Sequence, residues 1–123
     1  MQSSYKNKDI YFKFSNVCLI KSWSDCISIY LESENDPLTI QHKNVRDAVE
    51  KQLCEYFSFY FKFVDQKENC DIIIPIDKIT HTYNNVSSVM AVVYGFNGSV
   101  NITSKRDVNA FEKILADYQE TLK

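Results

Sequence analysis

Apolar and polar residues alternate with a period of two along most of this chain, and the period becomes helical only twice. Ile10, Phe12 and Phe14 alternate with Tyr11 and Lys13; Ile27, Ile29 and Leu31 with Ser28 and Tyr30; Val100 and Ile102 with Ser99 and Asn101. This spacing puts one set of side chains on a covered face and the other in water, the mark of a half-buried strand. Val17–Ser22, Leu38–Ile40, Phe57–Phe63, Ile72–Ile76, Lys78–Tyr83 and Val86–Phe96 read as further extended segments. Val45, Ala48, Val49, Leu53 and Tyr56 recur at helical spacing after Asn44, a predicted N-cap with Asp47 three residues on. Val108, Phe111, Leu115, Tyr118 and Leu122 form a second apolar stripe after Ser104, which with Asp107 makes a capping pattern. The expected class is α+β: a mostly antiparallel sheet with two helices.

The connections support hairpins. Glu34-Asn35-Asp36-Pro37 is a turn in which Asn and Asp bond their own backbone and Pro presets φ. Asn97-Gly98 between two apolar runs predicts a tight two-residue hairpin turn. Pro75 cannot donate to a ladder, which predicts an edge strand or a bend there. Residues 1–8 read as a flexible tail and residues 9–123 as one domain. Each half runs strand, strand, strand, strand, helix, and Asp9-Ile10 and Asn44-Val45 align with Asp71-Ile72 and Asp107-Val108. Two architectures fit this cadence. One is an internal repeat, residues 9–64 and 71–122, as two ββββα units about a pseudo-twofold axis. The other is one curved sheet or small barrel closed by the last helix.

Composition narrows the function classes. The net charge of −2 is evenly spread, with seven Lys/Arg and eight Asp/Glu in residues 1–61 and the same in 62–123. No basic half exists to drive bulk binding of nucleic acid or membrane, so anion binding must rest on a local patch. The polar start is not a secretory leader and no apolar run approaches a membrane span, which gives a cytoplasmic expectation. Cys18, Cys26, Cys54 and Cys70 show no metal-type spacing and are expected as reduced thiols, with no metal and no cofactor. The sequons at Asn85, Asn97 and Asn101 are read as chance.

Three candidate surfaces remain. The aromatic run from Tyr56 through Phe59, Tyr60, Phe61 and Phe63, with Trp23 as a further anchor, is large enough to leave rings exposed for a protein interface. Both predicted helices open on bases, Lys43 and Arg46 in one and Lys105 and Arg106 in the other, where free N–H groups already attract anions. His81, with Asp77 four residues before it, is the one acid–base pairing the chain offers. The leading expectation is a non-enzymatic interaction module of the adaptor or inhibitor type, binding a protein partner or a second copy through the aromatic run and the Pro75 strand. The alternative is a nucleic-acid-associated regulator using the basic helix starts. The third is a small enzyme using His81 and Asp77.

Overall fold

The computed structural model describes residues 2–123. The chain forms β1 (Ser4–Lys6), β2 (Tyr11–Lys13), β3 (Val17–Ser22), β4 (Ile27–Leu31), β5 (Leu38–Ile40), α1 (Lys43–Tyr56), β6 (Tyr60–Asp65), β7 (Cys70–Pro75), β8 (Ile79–Asn84), β9 (Val89–Val93), β10 (Ser99–Ile102) and α2 (Lys105–Thr121). Short 3-10 turns at Phe14–Asn16 and Ile76–Lys78 lead into β3 and β8. All strand pairs are antiparallel. The α+β class read from the period is the class that forms.

Three sheets result: a two-stranded β1–β2 ribbon, a five-stranded sheet in the order β5-β4-β3-β7-β6, and a three-stranded sheet in the order β10-β9-β8. The five-stranded sheet is covered on both faces. Leu19, Phe61, Phe63, Ile72 and Ile74 point to one side, against Phe111 of α2 and Val100 and Ile102 of β10. Ile20, Ile29 and Ile73 point to the other, against Val49 and Leu53 of α1 and Phe12 and Phe14. Burial on both faces explains why Val17–Ile20 and Ile72–Ile74 are unbroken apolar runs, whereas strands with one wet face alternate.

Several expectations are corrected. Ser4–Lys6 is a strand paired with Tyr11–Lys13 rather than part of a tail. Strand β7 is interior to its sheet. The edge reading fails and the bend reading holds: Pro75 ends the strand and the chain turns there into Ile76–Lys78, past the Ile73 position where pairing with β3 begins, so the missing N–H costs no ladder bond. The two-residue Asn97-Gly98 turn is a wider loop, because β9 stops at Val93. Gly95 carries φ +83 there, and a Cβ on it would lie 2.8 Å from Glu32 Cγ. Helix α1 starts two residues early, with His42 at its N-cap and no side-chain cap, so Asn44 is not the cap. Self-contained ββββα units do not form. The five-stranded sheet joins β3–β6 of the first expected unit to β7 of the second, while β1–β2 and β8–β10 pair only among themselves.

This topology sorts the connections onto two ends. At the far end, Glu32 N–H donates to Asn16 at 2.9 Å and Tyr94 N–H to Lys78 at 2.7 Å, which ties both 3-10 turns to the ends of β4 and β9. Phe59 meets Tyr118 there edge-on at 5.6 Å. Strands leaving that end reach the β3–β4, β6–β7 and β8–β9 turns at the other, where both helices begin. We call this the turn end.

Candidate nucleic-acid interface at the turn end

The β6–β7 hairpin forms the middle of the turn end. On one side of it, Arg106 lines a depression of 410 Å3 together with Lys62, Asp65 and Asp71. On the other side, Arg46, Trp23 and Ser22 line a second depression that also includes Asp71. Beside the start of α2 a third, of 560 Å3, is lined by Lys105, the amides of Asn84, Asn85 and Asn109, and Val86. Val86 is fully exposed at the tip of the β8–β9 turn. The sequence places a turn at Asn84-Asn85 but reads Val86 as the start of the next strand, whereas β9 begins only at Val89. The signal for the longer turn was Asn84-Asn85 followed by Ser87-Ser88, a polar pair on each side of one apolar residue.

The four predicted bases separate in character. Arg46 is an internal tie. Its guanidinium donates to the Trp23 carbonyl at 2.9 Å, to Ser22 Oγ and to Asp47, and lies 3.7 Å from Glu50. A guanidinium with these donors already used has little left for a ligand. Lys43, Lys105 and Arg106 are exposed, and among the described residues none has a carboxylate within ion-pair distance. Helix α2 is capped by Ser104, whose Oγ accepts from Asp107 N–H at 3.1 Å. Helix α1 has no such cap and no acidic residue in its first turn. Its first N–H groups therefore face outward beside His42 and Lys43, which suits an anion.

The aromatic run lies in the interior. Phe57, Phe61 and Phe63 are buried, and Tyr56, Phe59 and Tyr60 are half-buried against the same clusters. Phe61 packs on Phe111 at 5.2 Å, and Tyr56 on Phe14 at 5.6 Å. These rings exceed what one strand face could bury, but two helices and two sheet layers cover them. Trp23 is half-buried, and its Nε1 donates to the Glu68 carbonyl at 3.2 Å. His81 lies exposed on β8, with Thr80 Oγ1 2.9 Å from its Nδ1 and Tyr83 packed edge-on. Asp77 is in the preceding 3-10 turn and makes no bond to it among the described residues, so the pair is not assembled as an acid–base site.

The four cysteines are free thiols. Burial pushes the Cys70 thiol up to about 11, with the carboxylates of Glu68 and Asp65 adding to the effect. Asp65, Glu68 and Cys70 converge within 4.8 Å. The raised thiol keeps its proton, and Glu68 is paired with Lys21 at 3.0 Å, so this cluster is poorly suited to a metal.

No protein-family model and no curated protein matches this chain. Among solved structures, the chain is similar to the LytTr DNA-binding domain of a Bacillus cereus protein, with a TM-score of 0.62 and 18% identity. The match covers 94% of this chain and 98% of that one. The fold is therefore of the LytTr kind. One copy of that domain runs through both halves, which overturns the internal repeat. With the rings of 56–63 in the core, the expected protein–protein interaction module also falls. No helix among the described residues is long and apolar enough to cross a membrane.

Proposed function

We propose that this chain is a DNA-binding domain that meets the double helix with its turn end, the role named for the LytTr domain it resembles. Fold alone does not carry function. The observation that carries the reading is the placement of charge on the helices. Lys43 and Arg46 lie in the first turn of α1, and Lys105 and Arg106 open α2, while neither helix has a base in its last turn except Lys123 beyond it. Glu55 and Glu120 stand near the C-termini instead. Each such inversion costs the helix about 0.3–1 kcal/mol against its own dipole. A phosphate at the helix start reverses the sign of that cost, since the N–H groups and the bases then act on one anion.

In this reading Lys43, Lys105 and Arg106 hold the phosphate backbone, while Arg46 holds α1 against β3. Asn84, Asn85 and Asn109 beside Lys105 offer the paired donor and acceptor that an amide presents to an adenine edge, and Val86 offers an apolar contact to a thymine methyl. A DNA partner also accounts for a chain with net charge −2 and still basic helix starts: contact is local, so affinity is modest and strongly salt-dependent.

The test is fluorescence anisotropy of a labelled mixed-sequence duplex across a salt series. Wild type is expected to bind at low salt. Replacing Lys43, Lys105 and Arg106 together by Gln should lower the salt slope by about 3 and weaken binding by more than tenfold. Absence of duplex binding at 20–50 mM salt (roughly the range where such contacts are strongest) sinks the reading.

A further inference from the structure

The β1–β2 ribbon carries a basic face that the helix starts do not account for. Its register is Ser4↔Lys13, Tyr5↔Phe12 and Lys6↔Tyr11. Phe12 is buried at 4% exposure and Tyr5 packs inward on it at 6.0 Å, so the opposite face holds Ser4, Lys6, Tyr11 and Lys13. Lys6 and Lys13 are exposed there, and Tyr11 between them is 59% exposed. Lys8, also exposed, stands in the connecting turn. That turn is held by Asn7, whose Oδ1 accepts from the N–H groups of Asp9 and Ile10 at 2.8 Å. Asp9 is the one carboxylate in the segment. Among the described residues, none of the three lysines is ion-paired.

We infer that this ribbon face is a second contact for the DNA backbone, with Lys6, Lys8 and Lys13 each taking a phosphate and the Tyr11 hydroxyl donating to one. The inference rests on the proposed DNA-binding function and adds a surface to it. Three features argue for a polyanion as the occupant. Lys6 and Lys13 are diagonal neighbours on one face, about 7–8 Å apart at the backbone, so they reach separate phosphates. The ribbon is stapled by Phe12 and Phe14 to the core, so its lysines are presented on an ordered frame. The strands alternate in direction, and β2 runs toward the 3-10 turn bound at the far end. The Asn7–Asp9 turn therefore forms the ribbon's other tip, away from that 3-10 turn, where the exposed Lys8 is open to a partner.

The experiment compares three proteins in the same anisotropy salt series: wild type, Lys6→Gln/Lys8→Gln/Lys13→Gln, and the matching Lys→Arg triple. All six substitutions are on exposed side chains, and an unchanged urea transition verifies folding. The Gln triple is expected to lose about 3 from the salt slope and at least tenfold in affinity at ~0.1 M salt, and the Arg triple to retain both. If wild type binds and the Gln triple keeps its slope and affinity, the ribbon contact is wrong and the DNA-binding function stands. If the Gln triple instead self-associates with affinity unchanged, the lysines guard a strand edge and the contact is again wrong. If wild type binds no duplex but binds vesicles containing anionic lipid, the function and the ribbon contact both fall. If the Gln triple loses binding while the Lys43, Lys105 and Arg106 variant keeps it, the ribbon is the main contact and the helix starts are not.

Discussion

The two ends of this molecule are built from the same kinds of element and differ in what they do with charge. At the turn end, Lys43, Lys105 and Arg106 are exposed with no ion-pair partner among the described residues, beside amide-rich turns. At the far end Lys78 and Lys123 are paired, with Glu32 and Glu120, while among the described residues Glu34, Asp36, Glu55, Asp77 and Asp117 have no cation within ion-pair distance. The net charge of −2 hides this asymmetry, because an acidic end and a mixed end sum to little. A polyanion approaching the molecule meets repulsion at one end and open cations at the other. The lesson is that charge counted by position along the chain and charge counted by position in the fold are different quantities.

The comparison can be broken first by removing what holds it in place. Phe111 is fully buried against Phe61 and holds α2 on the sheet, with Lys105 at the turn end and Asp117 toward the far end. Phe111→Ala should cost about 3–5 kcal/mol, read as a lowered urea midpoint. A loss under 1 kcal/mol would mean that α2 is held by its ends. Next in size is Arg46→Ala, which strips the ties to Ser22 and Trp23. It should cost ~1.5–3 kcal/mol in stability and leave the salt slope of DNA binding unchanged. A slope that falls by about 1 would move Arg46 from the frame to the interface.

Smaller effects sharpen the contrast between the two helix starts. Ser104→Ala should destabilise by about 1 kcal/mol, since its Oγ caps α2. His42→Ser, which gives α1 the cap it lacks, should stabilise by a few tenths to 1 kcal/mol and weaken DNA binding by occupying N–H groups that face the phosphate. The smallest expected effect is at the far end. Neutralising Glu34, Asp36 and Asp77 together as Gln and Asn should strengthen duplex binding by less than about threefold, since charges beyond a Debye length of ~10 Å are largely screened. A larger gain would place the far end near the DNA.

Much of the framework was legible in the chain. Leu38–Ile40 and Val17–Ser22 have the expected bounds, α1 ends at Tyr56 within the range its stripe allowed, and Ser104 caps α2. Each of these is decided by local spacing or local capping. The misreadings share one cause, which is tertiary cover. Whether Phe59 and Phe61 are surface or core depends on α2 and Phe111, some fifty residues on. Arg46 looks like a free base until Ser22 and Trp23 are brought to it. Val86 reads as strand because it adjoins Val89, and only the fold shows that it stands at a tip. Strand β2 was marked by the Ile10, Phe12 and Phe14 alternation, but β1 escaped because a three-residue strand carries almost no periodic signal, and only the pairing with Tyr11–Lys13 gives Ser4–Lys6 its face.

Strand β3 has a neighbour on one side within a few residues, β4, and on the other only β7, whose first residue follows its last by nearly fifty. During synthesis from the N-terminus, Val17–Ser22 and Ile27–Leu31 leave the ribosome long before Cys70–Pro75. For that interval an apolar edge stands open, with Ile20 and Leu19 ready to pair with any other extended chain. At ~5–20 residues per second the exposure lasts several seconds. The sheet that gives this molecule its rigid middle is thus also the part of its birth most in need of a chaperone, and a transcript interrupted after α1 would yield a product prone to aggregate.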